Sequence, residues 1–192
     1  MLKRLSSLEN NYSLGSNPFN GKTNIYFKEL NNLHLQQIAC WSDSLSLSEN
    51  FLKQELNINN LPNFNKGIIE KEFSFWRIEP LKWWIFNKNI MISPDLGTTL
   101  DLSHSFTCIH ISGNHASLLL NRYLPIDLRE SKFPELSSAS SAIHHVSIKL
   151  FKRSRNNYYL LIPRGFALSI WEILIDTSKQ FGYEVLDRSS GL

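Results

Sequence analysis

The chain has 192 residues, 42% of them apolar and 12% aromatic, with 20 Lys and Arg against 17 Asp and Glu. That much apolar material excludes a wholly disordered chain, and the length excludes a large enzyme with separate cofactor and substrate domains. A formal charge of +3 and only two cysteines, Cys40 and Cys108, speak against a strongly basic nucleic-acid reader, a disulfide framework and a structural zinc site.

Residues 1–21 are rich in Ser and Asn, hold Gly15, Pro18 and Gly21, and show no sustained period, so the reading is a flexible N-terminal tail. Residues 22–190 are read as a single compact α+β domain, with a first half at about 22–95 and a second at about 96–190. Leu33 to Ala39 is a candidate strand. The spacing of Leu45, Leu47, Phe51, Leu52 and Leu56 predicts a helix over about 46–56, started by a serine cap. Ile69 to Ile78 and Trp83 to Phe86 read as a hairpin around Glu79-Pro80-Leu81-Lys82. Trp83 and Trp84 are adjacent on a strand and must face opposite sides, so one indole is expected in the core and the other outside it.

From Ser103 onward the predicted order is strand, helix, strand, strand, helix, strand. Thr107, Ile109 and Ile111 alternate with Phe106, Cys108 and His110 in the first strand. A short helix carries Ala116, Leu119, Leu120 and Tyr123, and must stop before Pro125. Residues 130–141 are Ser-rich and read as a loop. Strands at about 143–151 and 158–162 flank the basic turn of Lys149, Lys152, Arg153 and Arg155. The clearest helix begins near Arg164 and presents Ala167, Ile170, Trp171 and Leu174, with Gly182 as its stop before a last strand, Tyr183 to Leu186. This order is the ferredoxin-like pattern, and the first half is a weaker copy of it. The expected fold is therefore two ferredoxin-like halves, antiparallel sheets with helices on one face.

Motifs that carry chemistry are scarce. Gly15, Gly21, Lys22 and Thr23 miss the phosphate-loop spacing by one residue and follow no strand; no G-x-G-x-x-G, G-x-S-x-G or H-E-x-x-H occurs. His104 and His110 lie about 20 Å apart along one strand, too far to share an ion. Cys108 sits beside no group that would lower its pKa and reads as a buried, inert thiol. No catalytic, cofactor-binding or metal-binding residue is nominated. The longest apolar runs fall far short of the ~20 residues that cross a bilayer, and no apolar export segment follows Lys3-Arg4, so a cytoplasmic location is expected.

Three segments in order, Arg77-Ile78-Glu79-Pro80-Leu81-Lys82-Trp83-Trp84-Ile85, Asp101-Leu102-Ser103-His104-Ser105 with Leu124-Pro125-Ile126-Asp127-Leu128, and Tyr159 to Ala167 with Trp171-Glu172 and Phe181-Gly182-Tyr183, carry a family likeness. Over about residues 30–187 the chain resembles the gamma subunit of heterotetrameric sarcosine oxidase, a small member of the folate-binding aminomethyltransferase-like group. The resemblance implies a non-catalytic subunit of a complex that oxidatively demethylates sarcosine to glycine. The one-carbon unit would pass to tetrahydrofolate or leave as formaldehyde, and hydrogen peroxide would form. It further implies alpha, beta and delta subunits as partners, with FAD, FMN, NAD and tetrahydrofolate held on those chains and none on this one. Neither nucleic acid nor membrane is expected as a partner. Trp83, Trp84, Arg77, His104 and Phe106 are the residues expected at a subunit interface. Two other readings stand beside it: a stand-alone folate-binding aminomethyltransferase-like protein, and an RNA-binding α+β module using the sheet and the 149–155 turn.

Overall fold

A computed structural model describes residues 5–190, which divide into two units: residues 5–32 with 104–190, and Leu33–Ser103. The division falls at the 32/33 and 103/104 junctions, so one unit is a single insertion in the other. In chain order, β1 (Gly15–Asn17) and β2 (Ile25–Asn31) open the first unit. The second unit then runs β3 (Leu35–Cys40), α1 (Leu45–Leu56), β4 (Gly67–Ile69), β5 (Ser74–Glu79), β6 (Lys82–Phe86) and β7 (Gly97–Asp101). The chain returns through β8 (Phe106–Ser112), α2 (Ala116–Asn121), β9 (Ser138–Ile143), β10 (Val146–Ser154) and β11 (Asn157–Pro163). A 3-10 turn at Arg164–Phe166 leads into α3 (Ala167–Ser178), followed by β12 (Tyr183–Val185) and β13 (Ser189–Ser190).

The first unit holds an eight-stranded sheet in the order β1-β12-β2-β8-β11-β10-β9, with β13 also on β2. Its pairs are antiparallel except for β12 and β13, which run parallel to β2. One face is apolar at every second position: Ile25 and Phe27 of β2, Ile109 and Ile111 of β8, Tyr158, Leu160 and Ile162 of β11. Leu119 and Leu120 of α2 and Ile170, Trp171 and Leu174 of α3 pack on it. The helical stripe read from the sequence is thus the stripe that is buried.

The predicted tail does not trail. Leu8 is fully buried in that core, Tyr12 stacks on Trp171 at 5.3 Å, and β1 pairs with β12 in register from Gly15 opposite Val185. Its polar composition concealed two anchors, each a single large apolar side chain among serines and asparagines.

The second unit is a five-stranded antiparallel sheet, β4-β5-β6-β3-β7. Its core joins Ile38, Phe75, Trp83 and Ile85 to Leu52 and Leu56 of α1. The predicted hairpin is β5–β6, with a register shift between Arg77 and Glu79. Asn57 closes α1 in the left-handed region at φ 52°, where Asn is tolerated. Among the described residues no helix is long and apolar enough to cross a membrane.

Candidate functional site

A polar cluster centred on a buried carboxylate lies where the two terminal segments of the first unit meet the end of β2. Glu29 continues the inward alternation of Ile25 and Phe27, and only 3% of it is exposed. Arg188 satisfies it, donating from Nε to Glu29 at 2.7 Å and from Nη1 to Glu9 at 2.9 Å. Ser6 donates its hydroxyl to the other Glu29 oxygen. The Arg188 guanidinium lies 4.6 Å from the Tyr12 ring centroid, a cation–π contact. The Tyr12 hydroxyl donates to the Leu186 carbonyl at 2.7 Å and accepts from the Glu29 backbone N–H at 2.9 Å. Burial is the main cause that pushes this phenol up to about 12.

A cavity of about 240 Å³ adjoins the cluster, lined in part by Ser7, Asn31, Thr107 and Arg164. Most of its polar groups are paired internally, although the buried Arg188 Nη2 has no hydrogen-bond partner among the described residues. Both carboxylates are held by one guanidinium, Ser7 and Thr107 share a hydrogen bond at 2.6 Å, and Arg164 donates to the Leu5 carbonyl. The volume falls below the ~300–1,000 Å³ typical of small-molecule sites.

The opposite face of the eight-stranded sheet carries the second polar group. Lys28 of β2 pairs in register with His110 of β8, and His110 with Tyr159 of β11. His110 Nε2 lies 2.7 Å from the Asn157 side-chain oxygen, and its ring stands 5.0 Å from that of Tyr159. Arg153 donates to the Tyr159 hydroxyl at 2.9 Å. Burial lowers the His110 pKa, Asn157 raises it, and the charges of Lys28 and Arg153 lower it further. Cys108 on the same face is fully buried, and burial pushes its thiol far up, which keeps it protonated and unreactive.

The five residues predicted for an interface divide between the two units, Arg77, Trp83 and Trp84 in one and His104 and Phe106 in the other. Both tryptophans are buried, Trp83 fully and Trp84 at 2% exposure, which corrects the expectation that one indole faces outward. Four successive residues of β6, Trp83 to Phe86, are buried, so the strand is covered on both faces and alternation does not expose one side. Arg77 lies 4.9 Å over the Trp83 ring and pairs with Glu49 at 3.1 Å. His104 is exposed just before β8, and Phe106 at its first position is half-buried. Sequence reasoning missed Glu29, Arg188 and Tyr12. The signal available was a carboxylate at the third inward position of an apolar alternation, Ile25-Phe27-Glu29, inside a strand that the reading did not recognise.

Among the described residues no group of three or more His, Cys, Asp or Glu could hold a metal ion. Asp127 is held at about 2 chiefly by its hydrogen bonds from Arg129, at an exposed position.

No protein-family model matches the chain, and no curated protein sequence is similar to it. Solved structures are. A chain of the heterotetrameric sarcosine oxidase from Corynebacterium sp. U-96, solved in complex with pyrrole 2-carboxylate, superposes with a TM-score of 0.77. The match covers 93% of this chain and 96% of that one at 14% identity. The fold is that of a sarcosine oxidase chain. The glycine cleavage system aminomethyltransferase T from Bartonella henselae matches with a TM-score of 0.58 and 10% identity. That match takes in 96% of this chain but 57% of the transferase, so the chain spans little more than half of that protein. The α+β, aminomethyltransferase-like architecture expected from the sequence is therefore observed, with a parallel β12–β2 contact added to its antiparallel sheets.

Proposed function

We propose that this chain is the non-catalytic gamma-type subunit of a heterotetrameric sarcosine oxidase, which oxidatively demethylates sarcosine to glycine. The observation that carries the reading is the mutual coverage, 93% and 96%, with one chain of such an assembly. Two chains that match over nearly their whole lengths share a size as well as a fold, whereas this chain matches only 57% of the transferase. The chemistry of the two polar groups supports a structural role. The buried carboxylate of Glu29 is tied up by Arg188, and the thiol of Cys108 is held protonated.

On this reading FAD, FMN, NAD and tetrahydrofolate reside on the alpha, beta and delta subunits, and the exposed His104 and half-buried Phe106 contact a neighbouring subunit. Co-expression of this chain with the alpha, beta and delta chains tests it. The expected result is co-purification in one flavin-coloured complex that oxidises sarcosine, while the chain purified alone is colourless and inactive. A fully active alpha–beta–delta complex that never binds this chain would overturn the reading.

A further inference from the structure

We propose that Met91 is a peroxide-reactive modification site, a surface thioether that takes up one oxygen from a hydroperoxide ahead of both thiols and leaves the fold intact. The inference goes beyond the subunit reading and does not depend on it, since it concerns one side chain and is tested on this chain alone.

Met91 is the only methionine among the described residues, and 91% of it is exposed. The next most exposed large apolar side chain, Leu47, stands at 64%. The neighbours of Met91 fix this outward position. Ile90 is fully buried in the core of the second unit, and the Gln36 side chain holds its backbone at both polar groups. The Ile90 N–H donates to the Gln36 side-chain oxygen at 2.8 Å, and Gln36 Nε2 donates to the Ile90 carbonyl at 3.0 Å. Ile92 packs against the same core. Trp41 Nε1 donates to the Pro94 carbonyl at 2.7 Å, which secures the segment further on. With Ile90 and Ile92 both turned to the core, the side chain between them turns to solvent.

The two thiols are out of reach. Cys40 is 3% exposed and Cys108 is fully buried. Burial is the main cause that raises both thiols above their ordinary value, so neither is the thiolate that attacks a peroxide at neutral pH. A thioether has no proton to lose, and its reaction is governed by access.

In the step itself the Met91 sulfur lone pair attacks one oxygen of the peroxide. A sulfur–oxygen bond forms and the oxygen–oxygen bond breaks. The sulfur is oxidised by two electrons and the peroxide is reduced. The proton on the transferred oxygen passes to the departing oxygen, which leaves as water from hydrogen peroxide or as an alcohol from an organic hydroperoxide. The sulfoxide is polar, and a side chain this exposed loses no packed contact when it forms.

The test treats the purified chain with excess hydrogen peroxide at neutral pH and follows each peptide by mass. The Met91 peptide is expected to gain one oxygen at a rate within about twofold of that of N-acetyl-methionine amide. Neither cysteine peptide should be oxidised by the time half of the Met91 peptide has reacted. Repeated in guanidinium, both thiols should react, because burial is what protects them. The fully converted protein should keep its Tm within about 1 °C. A Met91 rate slower than that range, a cysteine peptide oxidised first, thiols that stay inert in guanidinium, or a larger fall in Tm each overturns the proposal. Failure here leaves the subunit reading untouched, and a chain that never joins the other subunits leaves Met91 as reactive as before.

Discussion

His110 shows how one side chain reports its surroundings. Burial, Lys28 and Arg153 together hold its pKa below the ordinary 6.5, against the opposing hydrogen bond to Asn157. In the unfolded chain the imidazole takes up its proton near 6.5; in the folded chain it does so only at lower pH. Between those values the unfolded state binds more protons, so stability falls as pH drops through that window and is fully present above it. We expect the urea midpoint of the wild-type protein to fall more between pH 7 and pH 5 than that of His110→Gln, which keeps a hydrogen-bond donor toward Asn157. Identical pH slopes would refute the assignment. Lys152 makes the contrasting case. Only 1% of it is exposed, yet it reaches Glu130 at 2.6 Å and the Phe133 carbonyl at 2.7 Å, so its charge is matched inside the fold. Two neighbours in a basic run therefore have opposite fates: Lys152 turns to the core face and reaches Glu130, and Arg153 turns to the other face and bonds the Tyr159 hydroxyl.

At the scale of single elements, β4 and β5 meet through a glycine placed under an aromatic ring. Gly67 pairs in register with Trp76, and a Cβ at Gly67 would land within the indole. Gly67→Ala should therefore cost about 2–3 kcal/mol, because the ring is buried at 2% exposure and has little room to shift. Thermal unfolding measures this, and a Tm unchanged within a degree would show that the ring moves freely. The helices and the β5–β6 and β10–β11 hairpins could be read from the sequence because their apolar residues recur at periods near 3.6 or 2. The elements that escaped are those whose pattern was broken or weak. β2 was missed because Glu29 interrupts its inward stripe, and β9, Ser-Ala-Ser-Ser-Ala-Ile, looks like a loop because small polar residues dominate it. β7 is a short edge strand with Thr98 and Leu100 on the outside. The same limit applied to function. Glu29 and Arg188 are 159 residues apart, and no local pattern marks them as partners.

For the whole molecule, that pair ties both terminal segments to one sheet. Arg188 joins Glu9 from the start of the chain to Glu29 of β2, and Trp171 bonds the Asn11 carbonyl at 3.2 Å while stacking on Tyr12. Arg188→Ala leaves the Glu29 carboxylate buried without its counter-charge, so we expect a loss of about 3–5 kcal/mol. Limited proteolysis should then cut within residues 5–14 well before the sheet unfolds, whereas a wild-type cleavage pattern would count against the coupling. The insertion of Leu33–Ser103 acts on the route to this structure. It leaves and re-enters through β3 and β7, which lie side by side, with the Leu102 N–H bonded to the Leu35 carbonyl at 2.8 Å. β2 ends at Asn31 and β8 begins at Phe106, so the two strands that must pair across the insertion are 75 positions apart along the chain. Once the inserted sheet has closed, their effective separation shrinks to a few residues, and the entropy of joining them falls accordingly. From this connectivity we expect the inserted sheet to form before β2 and β8 pair.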